Sequence, residues 1–380
     1  MSRLSPYLGL LLALIVGIAA FIVVNKPAVI SITPIPTSRT ASSTVSVVPP
    51  VDRSIPIATT TQRETAPDTK TATPATVAAA VPAPAVQAVV PTPTPATPTP
   101  SSGNASLDAA ATALRAALVN IMCYAPAGGT LHSISGSGVF VDSKGIIITD
   151  AHVAQYFLLA DRGVSCTIRT GSPAADAYKA ALIYISPAWV HANPTVLTQA
   201  TPTGTGEYDF GFLAVTGSAI AAPLPASFPS LPLAQAAPAT LTPVVIASFG
   251  AQFLESSQVQ SDLFPTVVFG SVKDIFTFGT NTVDVLSLGG SAAAQEGSSG
   301  GGVADASGSL AGMITTSTVS GATATRSLSA ITSSYIRSEY SREMGASLDT
   351  LLAEPTSVAV ADFATKIPAL ESLLTADLSQ

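Results

Sequence analysis

Charged and aromatic residues are scarce in this 380-residue chain, and histidine and cysteine are scarcer still. Only 10% of its residues are charged and 6% are aromatic, with three histidines and two cysteines. The 23 Asp and Glu residues outnumber the 16 Lys and Arg residues, the net charge is −7, and no basic cluster exists, which excludes nucleic acid as a partner. Cys123 and Cys166 form no CxxC pair, which excludes the usual zinc and thioredoxin motifs. We expect no metal and no cofactor.

The N-terminal segment contains an uncharged apolar run from Tyr7 to Val24. This run is close to the length that a helix needs to span a bilayer. We predict that residues 1–6 form a cytoplasmic N-terminus and that residues 7–24 form an uncleaved transmembrane signal anchor. Cleavage near Ala20 is the alternative, since secretory signal peptides have a shorter apolar stretch followed by a small-residue site.

Residues 25–105 have a different composition, rich in Pro, Thr and Ala and free of aromatic residues. Such a segment buries too little apolar surface to offset its chain entropy. We predict a disordered linker with polyproline II character, long enough to hold a folded domain away from the membrane.

Short β-type runs follow, separated by Gly, Pro and Ser at intervals of roughly 10 to 25 residues. Examples are "SGSGVFVD", "GIIITDA", "DFGFLAV" and "PVVIASFG". A short helix over residues 107–118, with Ser106 as its N-cap, precedes them, and helical patterns return near "ITSSYIRSEY". The pattern predicts a mainly β protein, a barrel or a sandwich, with C-terminal helices.

The stretch "EGSSGGG", residues 296–302, places two serines among four glycines. It is typical either of a flexible loop or of a turn that presents a nucleophilic serine. A serine nucleophile needs a histidine as base, and all three histidines precede Ser299. An α/β-hydrolase has its histidine after the serine, so that class is excluded and the order His, Asp, Ser remains.

His152 is the best-placed of the three histidines because it directly follows the apolar strand "GIIITDA". His132 lies in a predicted hairpin loop. His191 lies between prolines and is interpreted as a surface or structural residue.

Asp209 is the best candidate to orient that histidine, because it comes immediately before the apolar strand "GFLAV" and a carboxylate there can be buried. Asp161 and Asp176 lie in polar stretches. Asp142 and Asp150 are too near the histidine in sequence to approach it from another strand.

Three motifs together, "SGSGVFVDSKGIIITDAHVA", "YDFGFLAV" and "EGSSGGGVADASGSLAGMITT", resemble the trypsin-like serine proteases of the chymotrypsin fold, in particular the bacterial HtrA/DegP-type branch. The resemblance implies two six-stranded antiparallel β-barrels with the active site between them. It also implies a triad of His152, Asp209 and Ser299 and an oxyanion hole formed by the N–H groups of Gly297 and Ser299.

The chain departs from that family at three points. Ser298 replaces the aspartate that pairs with a freed N-terminus in trypsin-type zymogens. No PDZ domain follows the protease domain, predicted over residues 106–338, because residues 339–380 read as a helical extension. The family's pocket positions fall on Ala293 and Thr315, and neither carries a charge that would bind Lys or Arg.

The resemblance implies a membrane-tethered serine endopeptidase that acts on protein or peptide substrates. The alternative is a catalytically silent barrel that binds peptides or cell-envelope partners. The sequence does not specify an oligomeric state.

On the family pattern Cys123 and Cys166 lie on strands of the same first barrel, close enough for a disulfide. The alternative is two buried free thiols. Because disulfides persist outside the reducing cytosol, a bond here predicts that the protease domain lies on the extracytoplasmic side of the cell membrane.

Overall fold

The computed structural model describes residues 102–199, 204–279 and 281–376. The predicted membrane anchor at residues 7–24 and nearly all of the predicted linker lie outside the described residues. Within the described ranges, no helix is both long and apolar enough to cross a lipid bilayer.

The first half of the described chain forms a closed antiparallel barrel of six strands, as the sequence predicts. Its strands run around the barrel in the order β1-β2-β3-β6-β5-β4, and their apolar side chains fill its interior. They are β1 (Leu118–Tyr124), β2 (Ile134–Asp142), β3 (Ile146–Thr149), β4 (Ser165–Gly171), β5 (Ala174–Ile185) and β6 (Gly211–Ser218).

The second half forms a curled seven-stranded sheet in place of the predicted second six-stranded barrel. Its order is β8-β7-β11-β12-β13-β10-β9, so β8 and β9 are its two edges. Only Val272 and Lys273 separate these edge strands in the chain. The backbone therefore passes directly from one edge of the sheet to the other, although β8 and β9 are not neighbours in the sheet order. The strands are β7 (Pro243–Ser248), β8 (Thr266–Ser271), β9 (Asp274–Phe276), β10 (Val285–Ser287), β11 (Gly302–Ala304), β12 (Leu310–Ser317) and β13 (Leu328–Thr332).

Short helices surround the two β units. Two single 3₁₀ turns (Val196–Thr198 and Thr323–Thr325) and a longer 3₁₀ segment (Gln155–Arg162) accompany them. The α-helices are α1 (Ser102–Ala117), α2 (Ala151–Ala154), α3 (Pro187–Ala192), α4 (Ser256–Ser261), α5 (Ser333–Met344), α6 (Leu348–Ala353), α7 (Thr356–Ala364) and α8 (Ile367–Thr375).

Helix α1 begins four residues before the expected N-cap at Ser106. The last proline of the preceding segment is Pro100, so no fixed-φ residue stops the helix from extending back to Ser102. The predicted boundary between linker and folded chain at residue 105 therefore falls inside a helix.

The C-terminal helices pack onto the first barrel. Helix α7 lies against β5 and β6, and α8 lies against α3 and the 3₁₀ segment. An ion pair from Arg162 Nε to Glu371 Oε1 at 2.7 Å joins that segment to α8. The expected helical extension is thus part of one apolar core with the barrel.

A disulfide joins neighbouring strands of the barrel. Cys123 on β1 and Cys166 on β4 are direct partners in the antiparallel ladder, and their sulfur atoms are bonded. The bond closes a chain segment with a sequence separation of 43, and this segment includes β2, β3 and the helix that carries His152.

Candidate active site

His152 is presented by the tight corner that follows β3. All four residues of that strand, "IIIT", are buried, so the strand is fixed in the barrel wall and the chain leaves it at a defined point. Helix α2 starts two residues later and places His152 in its first turn. The side chain is 24% exposed, so the imidazole is anchored in the protein but reachable from solvent.

Asp209 holds that histidine through both carboxylate oxygens. Oδ2 lies 2.8 Å from His152 Nδ1, and Oδ1 accepts the backbone N–H of His152 at 2.9 Å. Tyr208, with a positive φ of 58°, forms the turn that leads Asp209 into β6. This double contact fixes both the position and the orientation of the imidazole.

The charge of Asp209 also changes the basicity of the ring. Burial lowers the pKa of His152, but the negative charge of Asp209 and its hydrogen bond to Nδ1 raise it. The net effect is a pKa above the ordinary value of 6.5. A carboxylate in this position favours the Nδ1–H tautomer, which leaves Nε2 free to accept a proton.

The turn before β11 separates the two adjacent serines. Ser298 is 1% exposed, and its hydroxyl accepts a hydrogen bond from Ser248 Oγ at 3.1 Å. Ser299 is half-buried and lines the same cleft as His152 and Asp209. Ser299, and not Ser298, is therefore the serine that lines the cleft.

Ser137 on β2 fixes this turn to the first barrel. Its N–H donates to the carbonyl oxygen of Ser299 at 2.7 Å, and its hydroxyl donates to the carbonyl oxygen of Gly297 at 2.8 Å. The same hydroxyl accepts the N–H of Phe249 at 2.8 Å. Sequence reasoning missed Ser137, because its burial and its contacts with this turn are visible only in the structure.

Two glycines with left-handed backbone shape the turn. Gly297 has a φ of 89° and Gly300 a φ of 83°. A Cβ atom on Gly300 would lie 2.0 Å from the carbonyl oxygen of Ser137, so no larger residue fits there. In the described ranges, the N–H groups of Gly297 and Ser299 have no acceptor. These are the two N–H groups that the family resemblance assigns to an oxyanion hole.

Residues 136–313 match the family model of the trypsin-like peptidase domain. The match begins within β2 and ends within β12, so it contains all three residues of the predicted triad. Residues 136–313 are therefore similar to the trypsin-like peptidase domain.

The peptidase domain has structural counterparts at low identity. An inactive form of an Rv3671c mutant from M. tuberculosis is 16% identical, with a TM-score of 0.39, 66% of this chain covered and 96% of that chain. The inactive form of the Rv3671c protease is 17% identical, with a TM-score of 0.40; the alignment covers 65% of this chain and 98% of that chain. The active form of the Rv3671c protease from M. tuberculosis is 18% identical, with a TM-score of 0.40; the alignment covers 68% of this chain and 96% of that chain. No curated protein matches the chain, so the assignment depends on the family match.

A cleft of about 900 Å³ contains the candidate site. Besides His152, Asp209 and Ser299, its wall includes Thr315, one of the two predicted pocket residues. The other, Ala293, does not line the cleft: it is fully buried in the apolar core of the second sheet.

The remaining histidines lie apart from the triad. His132 lines the cleft, and its carbonyl oxygen accepts the hydroxyl of Tyr156 at 2.9 Å; burial raises the pKa of that tyrosine to about 12. His191 is exposed on α3.

A second carboxylate, Asp150, lies beside the triad and was excluded by the sequence reasoning. It is fully buried, and its Oδ2 lies 3.8 Å from His152 Nδ1. Proximity in sequence does not prevent the approach, because the corner between β3 and α2 turns both side chains inward.

One donor atom each from Asp150, His152 and Asp209 lies within 4.8 Å of the others. Carboxylate oxygens and an imidazole nitrogen are atoms that can bind a cation. However, both oxygens of Asp209 are already engaged with His152, so the arrangement is better suited to moving protons.

Proposed function

We propose that the chain is a membrane-tethered serine endopeptidase that forms an acyl-enzyme on Ser299. The observation that carries the proposal is the contact of His152 with both oxygens of Asp209 in a cleft that Ser299 also lines. A histidine fixed by a carboxylate next to a serine is the arrangement that activates a hydroxyl for attack on a carbonyl carbon.

In the acylation step, His152 Nε2 takes the proton from the Ser299 hydroxyl while its oxygen attacks the substrate carbonyl. Asp209 stabilises the imidazolium that forms, and the free N–H groups of Gly297 and Ser299 stabilise the oxyanion. The imidazolium then gives its proton to the leaving amine, and the new N-terminus departs.

In the second step, His152 takes a proton from water while the water oxygen attacks the acyl carbon. The bond from that carbon to Ser299 Oγ then breaks, the imidazolium returns its proton to Ser299, and the acid product departs. The described structure contains no hydrogen bond between Ser299 and His152. Such contacts are often long without substrate and shorten in the complex.

The experiment is cleavage of an unfolded protein substrate by the purified full-length chain. Ser299→Ala should lower kcat by about six orders of magnitude, as loss of a triad serine does. Ser298→Ala should retain most of the activity, because its hydroxyl contacts Ser248 and not the cleft. Equal activity of Ser299→Ala and the wild-type chain would rule out the proposed mechanism.

Two features support a location at the membrane, with the peptidase domain outside the cytoplasm. The apolar run of residues 7–24 has the length of a bilayer span, and the Cys123–Cys166 bond is of a kind that persists in oxidising compartments. Deletion of residues 1–26 should move the protein from the membrane fraction to the soluble fraction. A deletion variant that still sediments with membranes would contradict this tether.

The alternative, a silent peptide-binding barrel, predicts tight peptide binding without turnover. It is distinguished in the same assay, because Ser299→Ala and the wild-type chain would then bind peptides equally and cleave none.

A further inference from the structure

Asp150 is a fully buried carboxyl group that, among the described residues, has only the Ser299 side chain and the Gly300 N–H as nearby donors. It is 0% exposed, and within the described part of the chain neither oxygen has a donor in hydrogen-bonding geometry. Asp209, by contrast, uses both of its oxygens. A buried charge that is not compensated is costly to a folded protein, so this carboxyl group needs an explanation.

The usual structural role of an aspartate at this position is absent. Asp150 occupies the N-cap of α2, yet its side chain makes no capping hydrogen bond. Its backbone carbonyl accepts the N–H groups of Val153 at 3.1 Å and Ala154 at 2.8 Å instead. Helix capping therefore does not account for the side chain.

The groups that face Asp150 all belong to the active site. His152 Nδ1 lies 3.8 Å away from it, and the charge of Asp209, the Ser299 side chain and the Gly300 N–H act on it directly. Gly300 N–H is already donated to the carbonyl of Ile314 at 2.8 Å. In the described ranges, no Lys or Arg forms an ion pair with Asp150.

These surroundings favour the uncharged carboxyl. Burial raises the pKa of Asp150 well above the ordinary 3.8, and the negative charge of Asp209 raises it further. The Gly300 N–H and the Ser299 side chain lower it only in part. Two carboxylates beside one imidazole cannot both ionise cheaply, so one of them retains its proton. Asp209 accepts two hydrogen bonds from His152, whereas Asp150 accepts none in the same geometry.

We propose that Asp150 is a positioning residue that works in its protonated form, and that the loss of its proton as the pH rises switches the site off. The inference rests on the proposed function, because it concerns the same His152 and Ser299.

Ionised Asp150 would disturb both of its neighbours. A negative charge 3.8 Å from Nδ1 stabilises the imidazolium that forms during acylation, so His152 would give its proton to the leaving amine less readily. The same charge would attract the Ser299 hydroxyl as a hydrogen-bond donor and turn its proton away from Nε2. A neutral carboxyl does neither.

The first test is the pH dependence of kcat/KM for the full-length wild-type chain and for Asp150→Asn, which mimics the protonated form. Wild-type kcat/KM should fall on its alkaline side by about tenfold per pH unit, as for the loss of one essential proton. Asp150→Asn should lack this fall, whatever the height of its plateau, and should keep the acid limb of the wild type. Asp161→Asn, which changes an exposed aspartate of the neighbouring 3₁₀ segment, is the matched control and should keep both limbs.

Three results would overturn the inference. If kcat/KM of the wild type and of Asp150→Asn fell at the same high pH, Asp150 would not titrate in the working enzyme. An acid limb shifted to lower pH in Asp150→Asn would show that Asp150 is ionised there and acts as a second counter-ion. A folded Asp150→Asn without activity at any pH would show that the charge is required. If Asp150→Asn does not fold, the smaller and uncharged Asp150→Ser replaces it in the same comparison.

The second test is thermal unfolding, which does not depend on proteolysis. The unfolded chain releases the Asp150 proton near pH 3.8, while the folded chain retains it to higher pH. Wild-type stability should therefore decline relative to Asp150→Asn as pH rises from about 4 toward the folded pKa. A Tm difference that does not change with pH would refute a protonated Asp150. If no variant cleaves any substrate but this pH dependence is present, the proposed function fails and the protonation of Asp150 stands.

Discussion

Asp209 contacts His152 at two atoms, the backbone nitrogen and Nδ1, at 2.9 and 2.8 Å. The first contact fixes where the corner after β3 lies relative to β6, and the second fixes the ring itself. A single carboxylate therefore links the position of the histidine to its protonation state.

Asp209→Asn should lower kcat by about four orders of magnitude while the fold is retained, because an amide favours the wrong imidazole tautomer and cannot balance the imidazolium charge. Steady-state kinetics together with circular dichroism would measure both effects. Asp176→Asn, which changes an exposed residue of β5, should keep its activity. The reverse order of the two variants would contradict the assignment of Asp209.

The acid limb of kcat/KM should report the ionisation of His152 and should lie above pH 6.5. The pKa of this group is raised in the folded protein, so the inactive imidazolium persists to a higher pH than in a free histidine. Asp209→Asn should move the acid limb of its residual kcat/KM to lower pH, because the negative charge that stabilises the His152 imidazolium is gone. An acid limb at or below pH 6.5 in the wild type would contradict the raised pKa of His152.

Ser137→Ala should impair both stability and catalysis. The change leaves the Phe249 N–H and the Gly297 carbonyl without their partner, which costs about 1 to 3 kcal/mol for each buried group that stays unsatisfied. The Gly297 N–H should move with its peptide, so kcat should fall more than KM rises. Urea unfolding and steady-state kinetics measure the two effects.

The control for Ser137→Ala is Ser143→Ala, an exposed position in the turn between β2 and β3. It should behave as the wild type in both measurements. If Ser137→Ala also matched the wild type in both stability and kcat, Ser137 would not position the turn that carries Ser299.

Reduction of the Cys123–Cys166 bond should destabilise the peptidase domain. With a sequence separation of 43, the chain-entropy model gives a loss of about 4 kcal/mol, or about 10 °C in Tm for a domain of this size. Calorimetry with and without reductant tests the loss. Alkylation of unreduced, denatured protein from its host tests whether the bond forms there, and two alkylated cysteines would remove the main support for an extracytoplasmic location.

Much of the fold could be predicted from the sequence, because short apolar strands separated by Gly, Pro and Ser have a clear period. The pairing of His152 with Asp209 was also accessible, since each residue lies next to a buried apolar strand. The curled seven-stranded sheet could not be predicted from the sequence. The bend between β8 and β9 depends on how the two edge strands pack, and the hydrophobic period of a single strand does not record this.

The parts of the site that the sequence missed depend on direction and not on spacing. Asp150 was set aside for its closeness to His152 in the chain, although a tight corner can turn both side chains inward. Ala293 was placed at the pocket floor by counting back from Ser299, yet its side chain points into the core. Ser137 carries no motif of its own, and its role is visible only once Gly297 and Phe249 are beside it.

The central claim is that Ser299 is an activated nucleophile, and covalent labelling with a fluorophosphonate probe tests it most directly. The probe reacts with a serine only when a neighbouring base removes its proton. The account predicts one adduct per full-length chain, located at Ser299 by peptide mass spectrometry, retained in Ser298→Ala and lost in Ser299→Ala. An adduct at Ser298, or no adduct on a folded chain at a pH above the acid limb, would contradict it.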